Sequence, residues 1–343
     1  MALRKAQQPL KEFAFIDSLV RRFPTRAPGL VRGIGDDAAV VTLPAHRQLV
    51  VTTDLLAEGI HFDLRTASFE DIGYKAAIAN LSDIAAMGAR PEHVLVALAI
   101  PASCSTPHIL RLYRGLMAAC RPYRVSLIGG DTSASSHGLF LSLTVTGTVP
   151  TGSALLRSGA RVGDLIYVTG TLGDSLAGLQ LLSRRDHMAA LRLPRKDRQF
   201  LLTRHRRPVA HCRFGQFLRT HRLASAAIDL SDGLSGDLRH LCTQSHVGAE
   251  IHADSLPFSS ALLCYATASR MDPAALALRG GEDYELLWTV APSKSRRLQR
   301  AAKQPGRRIT CIGVIRPHGF GIRMRTEDGR LRPVPITSYE HFR

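Results

Sequence analysis

No run of about 18 consecutive apolar residues occurs anywhere in the 343-residue chain, so no segment has the length and apolarity of a membrane-crossing helix. The opening "MALRKAQQPLKEF" lacks the apolar core of a signal peptide, and the expectation is a soluble, cytoplasmic protein. Six cysteines are scattered without a Cys-x-x-Cys pair, which argues against a zinc site or a disulfide frame and for reduced packing thiols. Lysine is scarce, six of 45 basic residues, and no Gly-Lys dipeptide exists. A G-x-x-x-x-G-K-[ST] phosphate loop is thereby excluded. His-Arg-Asp and Asp-Phe-Gly are also absent, which removes the protein-kinase pattern.

What is present is arginine, concentrated in residues 184 to 222 and after Arg296, with a formal charge of +17. The stretch "RRDHMAALRLPRKDRQFLLTRHRRP" reads either as a phosphate-tracking face or as the solvated surface of a helical insertion. No aromatic interleaving supports the first reading. Charge by itself speaks for solubility and the steering of anionic ligands.

The length suits two domains of roughly 150 residues each, and the turn-rich "VPTGSALLRSGARVGD" (149–164) marks the boundary. This divides the chain into residues 1–150 and 151–343. Strand-like runs fall at 38–43, 48–53, 93–100, 139–149, 164–170, 225–230 and 284–290. They alternate with helical patterns, the clearest running from Ser68, an N-cap with Asp71 three residues on, to a stop at Gly88. Asn80 and Asp83 share a face of that helix among alanines.

Carboxylates recur where apolar runs end beside glycine or at a turn: "RGIGDDAAV" (Asp36, Asp37), "VTTDLLAEGIHFD" (Asp54), "IGGDTSAS" (Asp131) and "AIDLSDGLSGDL" (Asp229, Asp232, Asp237). One such turn is an everyday structural signal. The recurrence fits magnesium, a hard cation held by a few carboxylates plus substrate phosphates, and hence phosphoryl transfer, which is mainly positioning and charge neutralisation. "GTLGDSLAG" (170–178) is either an anion site at a helix start or a tight turn capped by Asp174.

Together "GIGDDAAV", "VTTDLLAEGIHF", "KAAIANLSDIAAMGARP", "LIGGDTS", "LLRSGARVGDLIYVTGTLGDSLAGL", "RHRRP", "AIDLSDGLSGDL", "GGEDYELLWTV" and "SYEHF" resemble the thiamine-monophosphate kinase family, from about Phe13 to the C-terminus. The resemblance implies an α/β (α+β) protein of two domains, like aminoimidazole ribonucleotide synthetase, whose N-terminal sheets pair into the barrel of a homodimer. It implies ATP-dependent phosphorylation of thiamine monophosphate to thiamine diphosphate with several Mg2+ ions. The N-terminal domain would hold metal and ATP and make the dimer, and the C-terminal domain would complete the site. Asp37, Thr52, Thr53, Asp54, Asp83, Asp131, Asp229 and Asp232 would be metal ligands. Tyr113, Gly130, Asp131, Arg157 and Ser231 would contact ATP, and His61, Glu282 and Tyr339 would contact the acceptor. Asp36 reads equally as a turn former. The attacking phosphate oxygen is already ionised, so no general base is expected. The alternatives are another ATP-using relative, such as an aminoimidazole ribonucleotide synthetase-like enzyme, and a nucleic-acid-binding protein using the arginine surface.

Overall fold

Ser68 starts the longest described helix: its Oγ accepts the Asp71 N–H at 3.1 Å and donates to the Asp71 carboxylate at 2.8 Å, a reciprocal cap that satisfies an orphan helix-end donor. The helix ends where Gly88 takes φ +63° and Ala89 N–H returns to the Ile84 carbonyl at 3.0 Å. The structure, a computed structural model, describes residues 18, 19, 21–23, 29–32, 40–183, 191–302, 308–335 and 337–339. It divides the chain into two compact units, residues 1–80 with 91–151, and residues 81–90 with 152–343.

In the first unit β1 (Leu30–Arg32) and β2 (Val40–Val41) form a small antiparallel pair. A four-stranded sheet is built from β3 (Arg47–Ala57), β4 (Arg90–Pro101), β5 (Ser126–Ser135) and β6 (Phe140–Pro150), in the order β3-β6-β4-β5. The part of helix α1 (Phe69–Ala86) up to Asn80, and helix α2 (Thr106–Cys120), belong with it. The run at 93–100 lies in the internal strand β4, and the edges are β3 and β5. Nor does Asp54 end a buried strand: β3 continues to Ala57 along an exposed edge, and Asp54 stands opposite Leu143 inside it. The strand carries Leu49, Val51 and Leu55, each more than half exposed.

The second unit contains β7 (Leu165–Thr169), α3 (Asp174–Ser183), α4 (Arg195–Arg206), α5 (Cys212–Thr220), β8 (Ala226–Asp229), α6 (Leu234–Ser245), β9 (Val247–His252), α7 (Ser260–Ser269), α8 (Pro273–Arg279), β10 (Leu286–Val290), α9 (Pro292–Ala302), β11 (Ile309–Pro317), β12 (Ile322–Arg325) and β13 (Leu331–Pro333). Its mixed seven-stranded sheet has the order β13-β12-β9-β11-β7-β10-β8, with β10 antiparallel to both β7 and β8. Strand alternation sends Ile166, Val168, Ile228 and Leu287 into one core with Leu238 and Leu241 of α6. Tyr167 and Trp288, out of phase with them, stack at 5.6 Å, and Phe214 of α5 meets Trp288 edge-on at 5.2 Å. A further core joins Ala177 and Leu181 of α3, Leu201 of α4 and Tyr265 of α7.

All six cysteines are free, and four are buried. Burial pushes the Cys120 and Cys242 thiols up to about 12, so they pack as protonated groups. Among the described residues no helix is long and apolar enough to cross a membrane.

Helices α1 and α2 cross closely in the first unit. A Cβ on Gly115 would lie 1.8 Å from the Glu70 carbonyl oxygen, and one on Gly73 would lie 2.0 Å from that of Leu112. Gly115→Ala is expected to force the pair apart and cost about 1–3 kcal/mol, seen as a lower Tm in a thermal melt. An unchanged Tm would contradict so close a crossing.

Candidate functional site

The turn at 229–232 gathers most of the C-terminal candidates. Asp229 closes β8 and is buried, 2% exposed. Ser231 O accepts the Glu282 N–H at 2.7 Å, Leu230 O accepts that of Tyr284 at 2.9 Å, and Asp232 O accepts that of Tyr339 at 3.2 Å. Asp229, Ser231, Asp232, Glu282 and Tyr339 are therefore brought to one place by backbone hydrogen bonds. Tyr339 is half exposed. Asp237, first residue of neither proposed set, organises the turn: its Oδ2 accepts the N–H groups of Asp232 and Gly233, each at 3.1 Å. Burial, together with the charges of Asp229 and Asp232, holds the Asp237 carboxyl well above the ordinary range. Asp229 and Asp232, left beside it on the turn, are of the type that suits a hard cation. Even so, no group of three His, Cys, Asp or Glu converges to metal-ligating geometry among the described residues.

Behind this turn lies a buried polar network within the same unit. Glu285, the last acid of "GGEDYEL", is 2% exposed. Its Oε1 accepts from Arg204 NH2 at 2.6 Å, and its Oε2 from Thr169 Oγ1 at 2.5 Å, with His211 Nε2 at 2.6 Å. Burial alone would raise this carboxyl; His211, Arg204 and Thr169 together hold it down at about 2. Gly170 is obligatory beside it, since a Cβ there, at φ +58°, would lie 2.1 Å from Glu285 Oε1.

Asp283 receives the Gly173 N–H at 2.5 Å and the Ser175 N–H at 3.0 Å. Burial pushes this carboxyl up to about 7, against the opposing Arg204 charge. The start of α3 is thus occupied by a carboxylate of the protein itself. Of the two readings of "GTLGDSLAG" the tight turn holds, with Gly170 and Gly173 at positive φ, but the anion is internal and Asp174, instead of capping, accepts from Thr171 Oγ1 and Ser259 Oγ, each at 2.5 Å. Burial raises the Asp174 carboxyl. The arginine stretch is likewise not all solvated surface, because Asp197, Leu201 and His205 of α4 are buried and Arg204 is ion-paired inward. Residues 184–190 lie outside the described residues.

The N-terminal candidates are more dispersed. Asp37, with Asp36, lies outside the described residues. Thr52, Thr53 and Asp54 follow one another on β3, where Thr53 Oγ1 donates to the Leu143 carbonyl at 3.0 Å. Asp131 is exposed on β5, at the opposite edge of the same sheet, and its Oδ1 accepts the Thr132 N–H at 2.9 Å. A Cβ on Gly130 would lie 2.0 Å from the Val96 carbonyl oxygen, so strand β4 by itself demands glycine there.

His61 Nδ1 accepts the Ala57 N–H at 3.1 Å, which leaves the proton of the neutral ring on Nε2. Tyr113 is only 2% exposed and lies 6.2 Å from the Phe23 ring, with its phenol pushed up by burial; in this structure it packs. Asp83 sits on α1 in the part grouped with the second unit, one turn from the buried Asn80, whose Nδ2 donates to the Ala76 carbonyl at 3.1 Å. Arg157 is exposed, and its carbonyl accepts from Ser245 Oγ at 3.0 Å.

Comparison with known proteins first defines the class. The profile described as AIR synthase related protein, N-terminal domain, matches residues 35–149, and the corresponding C-terminal domain matches residues 161–324. The thiamine-monophosphate kinase of Salmonella typhimurium is 40% identical over 333 residues, covering 96% of this chain and 98% of the relative. A crystal structure of thiamine-monophosphate kinase from Stenotrophomonas maltophilia aligns with a TM-score of 0.81 at 39% identity, covering 96% of this chain and 100% of that one. A solved structure of AaThiL complexed with AMPPCP and TMP aligns at 0.76 and 32% identity, covering 99% of this chain and 100% of that one. The chain is a two-domain AIR synthase related protein and belongs, within that class, to the thiamine-monophosphate kinase family.

Of this network the sequence pattern singled out only Asp174, as a turn cap. "RHRRP" and the alternating acids of "GGEDYEL" were the available signal for Arg204, Asp283 and Glu285. Glu285, ordinarily near 4.5 and here near 2, contributes stability that is full above about pH 4.5 and is lost as pH falls towards 2, on the order of 3 kcal/mol. Asp283 is shifted upward and acts with the opposite sign, its contribution shrinking as pH rises from about 4 towards 7. Glu285→Gln should therefore lower stability at pH 5 and flatten the loss below pH 4.5 in urea melts. A mutant whose slope matches the parent's would contradict this account.

Proposed function

We propose that the chain transfers the γ-phosphoryl group of ATP to thiamine monophosphate, giving thiamine diphosphate and ADP in the cytoplasm. The observation that carries this reading is the convergence on one turn of Asp229, Ser231 and Asp232 with Glu282 and Tyr339. A solved relative, AaThiL, is complexed with AMPPCP and TMP, which supports the reading. Asp229, Ser231 and Asp232, which we assign to metal and nucleotide, lie on the turn whose backbone bonds Glu282 and Tyr339, which we assign to the acceptor.

In the first unit Thr52, Thr53, Asp54 and Asp131, with Asp37, are the oxygen donors we assign to magnesium; in the second, Asp83, Asp229 and Asp232 are. Bound Mg2+ supplies neutralisation of the charge shared by the two phosphates. Asp237 keeps the 229–232 turn in shape through its two backbone N–H bonds. Arg157, Gly130 and Ser231 are assigned to ATP. Glu282 offers a carboxylate and Tyr339 a π face to the thiazolium and pyrimidine rings, and His61 offers its Nε2–H to the acceptor phosphate. The nucleophile is a phosphate oxygen ionised at neutral pH, so no side chain need abstract a proton. Thiamine itself, whose hydroxyl is not ionised, should be a poor acceptor.

We also propose that β3 meets its counterpart in a second copy. An edge strand with Leu49, Val51 and Leu55 exposed is a pairing and aggregation hazard unless covered, and a second copy covers it symmetrically. Residues assigned to metal and nucleotide thus occur in both domains, the dimer contact is assigned to the first, and Glu282 and Tyr339 are the acceptor residues of the second.

Asp54→Asn and Asp229→Asn should each lower turnover roughly 100-fold or more, the scale of losing a main electrostatic stabiliser, in an assay coupling ADP release to added thiamine monophosphate. Full activity in both at saturating magnesium would end the metal assignment, and a purified protein that makes no thiamine diphosphate would end the functional one. In sedimentation the protein should run as a dimer at micromolar concentration, and Val51→Lys should shift it to monomer. A monomeric parent chain would remove the pairing of β3.

A further inference from the structure

The basic excess of the second unit is not absorbed by the acid turn or by the network behind it. Helix α9 packs inward through Leu298, fully buried, and through Ser295 Oγ and Gln299 Nε2, which meet the Tyr167 hydroxyl at 2.8 and 3.3 Å. At 3.6 residues per turn its opposite face is Arg296, Arg297 and Arg300, all exposed, with Lys294 at the shoulder. These cations stand three and four residues apart, where like charges weaken a helix.

A second segment adds the same charge. The chain leaving α5 carries His221 and Arg222, both exposed. Lys294 Nζ donates to the Arg222 carbonyl at 2.8 Å, and Arg297 donates to His221 Nδ1 at 3.4 Å, so the end of α5 and the face of α9 join in one surface through neutral acceptors. No Asp or Glu occurs between Asp197 and Asp229 or between Glu285 and Glu327. Asp164, bonded to Ser225 Oγ just beyond α5, is 4% exposed and also holds the Arg161 N–H. Among the described residues Arg222, Lys294, Arg296, Arg297 and Arg300 make no ion pair.

Protein surfaces ordinarily intersperse both signs, and a patch of one sign repels itself while it attracts counter-charge. This one is distinct from the acid turn. Strands β8 and β10 pair from Asp229 with Leu286 to Ala226 with Thr289; the acid turn follows the first pair, whereas Arg222 and the start of α9 flank the second. Among the described residues no exposed large apolar side chain lies on α9 or at 221–222, so the surface offers nothing to insert into a bilayer. Guanidinium groups suit phosphate oxygens in two-point contacts. His221, its ring centroid 4.6 Å from that of Phe217, sets an exposed ring beside them, of the kind on which bases stack.

We propose that the joined surface of α5 and α9 docks the phosphodiester backbone of a single-stranded nucleic acid. The proposal stands apart from the phosphoryl-transfer reading.

The test is fluorescence anisotropy of a labelled oligouridylate titrated with the full chain at several salt concentrations. The parent protein should bind at micromolar concentration in low salt, and log Kd should rise with log salt at a slope of about 2, that of three phosphates at about 0.7 each. The triple variant Arg296→Glu, Arg297→Glu, Arg300→Glu should bind at least about tenfold more weakly with a slope nearer zero, its circular dichroism unchanged. Arg323→Glu, Arg330→Glu, Arg332→Glu makes the same change in net charge around β12 and β13, at the other edge of the sheet, and should bind as the parent does. No binding in low salt, an equal loss in both triple variants, or undiminished binding by the α9 variant would overturn the proposal. So would displacement of the oligonucleotide by thiamine monophosphate, which puts it at the acceptor site, or tighter binding of poly-glutamate, which makes the partner an acidic protein. Should the charge-reversal variant fail to fold, the same three residues changed to Gln replace it: binding should weaken at least about threefold, and equal affinity would refute the surface.

Discussion

The Glu285 carboxylate is the constraint on which the C-terminal unit turns. Buried charge is tolerable only when paired and hydrogen-bonded, and this one is met by Arg204, His211 and Thr169. Satisfying it ties three separate segments together. Thr169 ends β7, Arg204 closes α4, and His211 precedes α5. Its own main chain meanwhile bonds through O to Leu230 N–H at 2.8 Å, so the ion pair and the acid turn are one residue apart in the backbone. Replacing such a cluster by apolar groups is often neutral for stability. What it adds here is a fixed geometry for the segment that carries Glu282.

Acidic residues consequently play two distinct parts within a few residues of each other. Asp283 and Glu285 are turned inward and fully coordinated by the protein, whereas Glu282 is partly exposed and Asp229 and Asp232 stand on the turn. The inward pair repays its burial by positioning the others. Asp237 does the same for the turn, its carboxylate spent on two backbone amides. A count of carboxylates near a phosphate site therefore overstates the number available to a metal, and the distinction rests on hydrogen-bond partners, not on residue type.

In the first unit the constraint is steric. Glycines 73 and 115 let two helices cross with backbone almost against backbone, and Gly130 accommodates β4. The glycine of "IGGD", which the family resemblance assigns to ATP, is required by strand packing whether or not phosphate comes near. Similarly the Asp54 carboxylate of "VTTD" does not end a buried strand; it belongs to a long, exposed edge strand carrying Leu49, Val51 and Leu55.

The sequence by itself determined the local features. The helix from Ser68 to Gly88 was legible because capping and termination are encoded within a few residues, and most strands because apolar runs of the right length are local too. The ordered motifs carried the family and the acid-bearing turns. Strand order was not legible: the run at 93–100 reads the same whether internal or at an edge, since its neighbours come from segments far along the chain. Nor was the destination of Arg204, Asp283 and Glu285. A basic stretch and an acidic one look solvated in isolation, and only their meeting across about 80 residues of chain makes an ion pair worth burying. Tertiary structure decided which charges serve the fold and which remain for chemistry, because a charge is desolvated or left in water by what packs against it, and that information lies outside any local window.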